Sequence, residues 1–443
     1  MTKTSLFKKA LSNQSLSHQE ILESLNSLNH VVFLNNNNNP LIGLCASEYV
    51  LVNNSTQQKY QETQFNDYQI SDSKNALEHF IHQFNEKKLN GLIMGFIGYD
   101  YSANLQVTAS NKNQPNLFLG CFPSYLSFET NLWFFNSSHP NADLIFERID
   151  HLINQPITKP ILSLNKTCKP RWTEQQYSHA FNQVQEYIKA GDCYQINLTQ
   201  EFQAQGAGSL LSTLDEFFTL TEAPYSGYLR VQDFELLSCS PELFIDFEEH
   251  HKIVTKPIKG TMPRYNDPIQ DELSKTTLKN SEKDQAENVM IVDLLRNDLS
   301  VYAEVGSVKT PKLFNIESFN QVHHMVSEVE AILKPNVNPF DVLISALPGG
   351  SITGAPKIRA MQIIEELEQG SRGAYCGSMG YFNNDGTGSW NILIRSIQKN
   401  KQDISLWAGG GITIASNCEA EYQECFDKVE ALVNLLNTYN KPQ

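Results

Sequence analysis

The chain has no run of about 20 apolar residues, so no helical membrane span is expected. Its opening residues, Met1-Thr2-Lys3-Thr4-Ser5-Leu6-Phe7-Lys8-Lys9, hold no long apolar core, and no secretory leader is expected. Cysteine pairs are missing too. The eight cysteines, Cys45, Cys121, Cys168, Cys193, Cys239, Cys376, Cys418 and Cys425, include no Cys-x-x-Cys, which removes zinc-finger spacing and suits reduced thiols in a cytoplasmic protein. Positive charge is scarce: 34 Lys and Arg against 49 Asp and Glu leave a net charge of −15. That argues against a general nucleic-acid binder, which needs a basic patch to collect phosphates. A small anionic substrate stays open, because a local cation cluster or a metal can override the global sign. There is no visible internal repeat and no P-loop, since Gly354 is followed by Ala355-Pro356 where a phosphate loop needs Gly-Lys-Ser/Thr.

What is present suits a large globular protein. A length of 443 residues allows two or three domains or one large one, and 40% apolar residues can fill a sizeable core. The five asparagines from Asn35 to Asn39, followed by Pro40, predict a loop. Residues 91–100 form an apolar run punctuated by Gly91, Gly95 and Gly98, and 115–135 read as further strands. The stretch from Pro156 to Pro170 reads as a linker, dividing an N-terminal region, 1–165, from a larger part, 166–443. Beyond it, Tyr177, Phe181, Val184 and Ile188 share a helical face, with Thr173 as N-cap and Gly191 as the stop. Strands are expected at 193–203, 226–232, 235–239, 243–248, 253–258, 376–382, 390–398 and 404–408. Helices are expected at 281–296, 355–369 and 419–437. The fold class is therefore α+β with many antiparallel strands.

Three features could carry chemistry. Lys259-Gly260-Thr261 closes a mostly apolar strand, and a partly buried amine loses proton affinity and becomes nucleophilic near neutral pH. Asp284 and Glu287 lie three apart on one helix, as do Glu421 and Glu424 on the last. Such pairs either mark solvated faces or, facing each other, form a hard oxygen site suited to Mg²⁺. The glycine-rich stretches 349–357 and 409–411 either expose amides to an anion or only allow close packing.

Together these residues resemble the chorismate-utilising enzymes. The matching runs are Ser240-Pro241-Glu242, Pro257-Ile258-Lys259-Gly260-Thr261, 286–294 with Arg296-Asn297-Asp298, Val322-His323-His324, 350–357, Ala408-Gly409-Gly410-Gly411-Ile412 and 421–428. They fall in family order over 171–437, with a weaker match at 91–100. The resemblance implies large antiparallel sheets packed as a sandwich with helices outside. It implies Mg²⁺ held directly by Glu287 and Glu424 and through water by Asp284 and Glu421, Asp284 being shorter than the glutamate often found there. Arg395 and Tyr381 would hold the enolpyruvyl carboxylate. Gly410, Gly411 and Lys428 would receive the ring carboxylate, with Thr261 and Thr353 also lining the substrate. His324 would face the reacting ring, and His323 would be structural.

Two positions bear on the reaction. Members that use water carry lysine where this chain has Gln195, so Gln195 points to ammonia as nucleophile. Anthranilate synthases have Pro-Ile-Ala-Gly-Thr where this chain has Pro257-Ile258-Lys259-Gly260-Thr261, the form found in the branch that aminates carbon 4. The resemblance then implies that Lys259 attacks carbon 2, with Glu242 as acid and later base, before ammonia displaces it at carbon 4. The expected product is 4-amino-4-deoxychorismate, on the way to para-aminobenzoate and folate. Anthranilate formation or a non-catalytic regulatory role are the alternatives. No glutaminase elbow with cysteine and distant His-Glu partners is found, so a separate glutamine amidotransferase subunit is implied. Some relatives bind tryptophan in the N-terminal half. Their Leu-Leu-Glu-Ser-type motif is not evident here, and 31–52 carry the asparagine run instead.

Overall fold

A computed structural model describes residues 6–54, 56–156, 160–319 and 322–440. Residues 1–5, read above for a leader, and 157–159 of the expected linker lie outside the described residues. Two 12-stranded antiparallel sheets dominate. One runs from an edge at Phe7–Ala10 through His30–Asn36, Tyr225–Val231, Phe234–Ser240 and Ser396–Asn400 to Asp403–Ile412, Gln195–Ala207 and Ser163–Pro170. The other runs from Ile258–Pro263 through Val322–Ile332, Lys252–Thr255 and Leu243–Phe247 to Leu92–Ile97, Pro115–Phe122 and Glu48–Asn53. Both sheets draw strands from either side of residue 165.

The alternation of side chains along each strand explains the layering. Val32, Leu34, Leu229 and Leu236 of the first sheet meet Leu51, Met94, Phe96 and Phe118 of the second in one buried core. Opposite-facing residues of each sheet are covered by helices. Ile21, Leu22, Ile149 and Leu432 cover the first, and Phe80, Val292 and Leu343 cover the second. A fourth core packs the helices Glu174–Ala190, Lys357–Glu368 and Cys418–Asp427 against Ile196, Leu198 and Ile412.

Several expectations are met with adjusted ends. Thr173 caps its helix through a reciprocal capping box with Gln176, and Gly191 follows at φ 83°. The asparagine run is a tight hairpin. One strand ends at Asn36, the next begins at Asn39, and Asn37 and Asn38 take φ of 50° and 60°, which asparagine tolerates better than most residues.

Other expectations are corrected. The proline-bearing linker is in part an edge strand, Ser163–Pro170. Leu164 and Cys168 turn inward, while Pro170 sits at the strand's end, where a missing donor costs least. The strand expected at 390–398 is two, Gly388–Asn391 and Ser396–Asn400, with Arg395 between them at φ 49°. The last helix is also two, Cys418–Asp427 and Glu430–Asn437, broken at Val429. The helices Pro268–Lys279 and Pro339–Ala346 and the strand Lys309–Ser318 were not anticipated.

Candidate active site

Lys259 does not close a strand. The strand expected at 253–258 stops at Thr255, and after Pro257 a new one begins, Ile258–Pro263. Both pair with Val322–Ile332. Ile258 faces Val326 and Thr261 faces His324, so three steps on one strand oppose two on the other. The extra residue is a bulge, and Gly260 takes φ +81° to make it. A bulge re-aims the side chain beside it, here Lys259. A Cβ added to Gly260 would lie 2.8 Å from the Asp284 carboxyl carbon, so Asp284 packs directly on this turn.

Lys259 Nζ donates to the Ser351 carbonyl at 3.4 Å. Its pKa is lowered, chiefly by burial, with Lys428 adding to the effect and Glu242, Glu287 and Glu424 opposing it. Glu242 is buried, and loss of solvent pushes its carboxyl up to about 7, with Lys259 the strongest opposing charge. Burial thus pushes the amine down and the carboxyl up, which favours the neutral form of each. Thr261 Oγ1 and His324 Nδ1 lie 2.8 Å apart. Burial and the Arg395 charge lower His324 to about 4, so its ring is neutral at pH 7. His323 is buried between Ser318 (2.7 Å) and Asp271 (3.0 Å), a structural placement.

The carboxylates come from two helices, Glu282–Ser300 and Cys418–Asp427. Lys283 Nζ lies 4.0 Å from Glu287 and 3.9 Å from Glu421, so one ammonium now bridges the two helices. Glu421 is buried, raised by burial, and accepts from Ser416 Oγ at 2.7 Å. Glu287 is raised by burial too. Burial also acts to raise Glu424, but Lys428, Lys283 and Lys259 outweigh it and hold the carboxyl below its usual value. Lys428 Nζ pairs with Glu424 at 2.6 Å and donates to the Gly409 carbonyl at 2.8 Å.

The three glycines lie inside the strand Asp403–Ile412. A Cβ on Gly410 would come within 2.7 Å of Glu421 Oε2 and 3.3 Å of Glu424 Oε1, and one on Gly411 within 2.0 Å of Gln195 Nε2. Glycine is what lets these side chains reach the backbone. Gln195 is fully buried, and neither end of its amide has a partner, which is costly unless a ligand supplies one. Thr353 is buried and donates its hydroxyl to Gly349 O at 3.0 Å.

Among the described residues no three His, Cys, Asp or Glu side chains form a preformed metal cage. Mg²⁺ asks for less: one or two carboxylates, with water and substrate oxygens completing the shell. The Glu421 and Glu424 oxygens crowded over Gly410, with Lys283 linking Glu421 to Glu287, fit that demand.

Tyr381 has different company. Its ring packs on the core between the sheets, and the carboxylate it feels is that of Asp246. A cleft of about 940 Å³ is lined by Arg395 and His324 together with Asn35, Trp133 and Asp215. The sequence reading missed Lys283, the Ser351 carbonyl and Asn197, whose Nδ2 donates to Ile352 O at 2.9 Å. Asn197 stands within the run that supplies Gln195, which was its one visible signal.

A double-sheet architecture with this cluster at its rim defines a class. Anthranilate synthase component I from Streptococcus pneumoniae shares the fold, with a TM-score of 0.76 at 23% identity over 89% of this chain and 92% of that one. The chain belongs to the chorismate binding enzyme family, whose model matches residues 29–434. Among curated relatives, aminodeoxychorismate synthase component 1 of Salmonella typhimurium is 41% identical over 351 residues, 78% of this chain and 77% of that one. The protein of the same description from Escherichia coli is 47% identical over 274 residues, covering 62% of this chain and 60% of that one.

Proposed function

We propose that the chain aminates chorismate at carbon 4, giving 4-amino-4-deoxychorismate with the enolpyruvyl group retained. The observation that carries this reading is the Lys259–Glu242 pair: an amine with lowered proton affinity beside a carboxyl at about 7, at the position where anthranilate synthases have alanine. Neutral Lys259 attacks carbon 2 and the double bond shifts. The carbon 4–oxygen bond breaks, and Glu242 gives its proton to the leaving hydroxyl, which departs as water. Ammonia then bonds to carbon 4, the carbon 2–Lys259 bond breaks, and Glu242 takes up a proton. Two allylic displacements put nitrogen para to the ring carboxylate. A single direct attack would put it ortho.

Arg395 is the cation for the enolpyruvyl carboxylate, and the amides of Gly410 and Gly411 with Lys428 receive the ring carboxylate. Thr261 and His324 hold each other beside the ring, and Thr353 offers acceptor lone pairs. Gln195, buried and unpartnered, supplies a carbonyl acceptor for an N–H of ammonia. Glu287 and Glu424, with Asp284 and Glu421 through water, would hold Mg²⁺. When bound, it neutralises the ring carboxylate and lowers the cost of bringing an anion to this acidic pocket.

The ammonia source is a glutaminase subunit, a reading supported by the "component 1" in the relatives' descriptions. The free thiols support a reducing, cytoplasmic setting. No helix among the described residues is long and apolar enough to cross a membrane. The N-terminal 1–165 is best treated as part of one interleaved unit with 166–443. The test is product analysis with chorismate, Mg²⁺ and an ammonium salt. Aminodeoxychorismate without pyruvate release supports the reading, whereas anthranilate with stoichiometric pyruvate overturns it.

A further inference from the structure

Two features take no part in this chemistry yet converge on it: the N-terminal run Gly98-Tyr99-Asp100 and a buried ion pair, Glu368–Arg372. Both members of the pair are 1% exposed. Arg372 Nε donates to Glu368 Oε2 at 2.9 Å and Nη2 to Oε1 at 2.7 Å. Nη1 donates to Ile352 O at 3.1 Å and to Cys376 Sγ at 3.6 Å, and Nη2 donates to Asn197 O at 2.8 Å. All five guanidinium N–H groups therefore have partners.

The acceptors lie beside the site. Ile352 O also accepts from Asn197 Nδ2 at 2.9 Å, and Asn197 N donates to Thr353 O at 2.9 Å. Arg372 and Asn197 thus pin the peptide units on both sides of Thr353. The next carbonyl upstream, Ser351 O, is the one that accepts from Lys259. Glu368 reaches the opposite wall as well. Its Oε1 accepts from Thr199 N at 2.9 Å and Thr199 Oγ1 at 2.7 Å, on the strand that pairs with Gly409–Gly411.

The N-terminal run braces the loop that carries Arg372. Asp100, buried, accepts from Gly373 N (2.9 Å), Lys112 N (2.9 Å) and the Ser371 hydroxyl. The guanidinium lies over the Tyr99 ring at 4.8 Å. Burying an ion pair costs several kcal/mol, and apolar replacements are often no less stable. Arginine's rigid fork can set two backbone carbonyls at fixed positions, which a flexible ammonium cannot.

We propose that Arg372, aligned by Glu368 and braced by Tyr99 and Asp100, is a positioning residue for Lys259. It fixes the Ile352–Thr353 peptide, next along the chain from the Ser351 carbonyl, so that Ser351 O engages one N–H of Lys259 and the amine's lone pair is aimed at the ring. The proposal rests on the covalent reading of Lys259.

The test is the para-to-ortho ratio of aminated product, a quantity independent of how much enzyme is folded. Three variants are compared: Arg372→Lys, the charge-free double variant Glu368→Leu with Arg372→Met, and Lys259→Ala. Chorismate binding is measured alongside. Misplacing a reacting group by an ångström can cost about a hundredfold, so the ratio should fall by about tenfold or more in both clamp variants with chorismate affinity little changed. A clamp variant that binds chorismate normally but aminates nothing gives the same answer. A wild-type ratio in both clamp variants, or loss of chorismate binding together with turnover, overturns the proposal while leaving the covalent reading intact if Lys259→Ala shifts the ratio. An unchanged ratio in Lys259→Ala overturns both.

Discussion

Replacing Glu242 by glutamine should separate two consequences of its burial. The carboxyl is raised from 4.5 to about 7 because it is held out of water. At 1.36 kcal/mol per unit, that shift is worth about 3 kcal/mol. The folded state therefore binds a proton that the unfolded state has released between pH 4.5 and 7. Stability from this group is fully present below pH 4.5 and is lost as pH rises through about 7. Glutamine has no charge to bury, so Glu242→Gln should gain stability relative to the wild type, by up to about 3 kcal/mol, between pH 5 and pH 8. Steric and hydrogen-bond differences between the two side chains cancel in that comparison, because they do not change with pH. Lys259 acts in the opposite sense, since its lowered pKa makes the charged amine costly at neutral pH, and losing the Glu242 charge lowers it further in the variant, which adds to the variant's gain as pH rises. Urea unfolding at the two pH values gives the number. The same substitution removes the proposed general acid and should lower kcat by about 10²–10⁴. A stability difference that does not change with pH, or a wild type that gains on the variant as pH rises, would refute the burial argument.

Other outcomes follow from the same geometry. Gly411→Ala should abolish turnover while the fold persists, because the new Cβ would meet the Gln195 amide at 2.0 Å; circular dichroism and activity together check it. Gly260→Ala should cost about 1–2 kcal/mol from its left-handed backbone alone, with a further loss of activity from displacing Lys259; denaturant unfolding measures the first. His324, lowered to about 4, stays neutral through the working range, so His324→Asn should leave the pH profile's limbs in place between pH 5 and 9 while lowering kcat. Chelation of divalent ions should abolish amination, with Mg²⁺ restoring it; activity that survives chelation would remove the carboxylates from their assigned role.

Much of the site was legible because its residues sit in short local runs. Lys259, Thr261, His324, Glu287, Glu424 and Gly410 each belong to a stretch whose spacing survives folding. What escaped depends on pairing across the sheet or on distant packing. The bulge at Gly260 exists only against Val326 and His324, and nothing in Ile258–Pro263 alone reveals it. Ser163–Pro170 looks like a linker by composition and becomes a strand because Gln195–Ala207 offers it an edge. The last helix reads as continuous by periodicity, but the backbone leaves helical geometry at Val429, at φ −127°. Tyr381 shares a short run with glycines near Arg395, yet strand alternation directs its ring to the core between the sheets. The clamp at Arg372 joins residues 197, 352, 368 and 372 with a run near residue 100, a convergence that only the folded chain displays.

The central claim is that Lys259 becomes covalently attached to the ring. Wild-type protein should be mixed with chorismate and Mg²⁺ without ammonia, quenched in acid, digested and analysed by mass spectrometry. A peptide containing Lys259 should be heavier by chorismate less one water, and that species should disappear when an ammonium salt is added before the quench. Aminodeoxychorismate production at wild-type rate by Lys259→Ala, with no adduct in either protein, would contradict it.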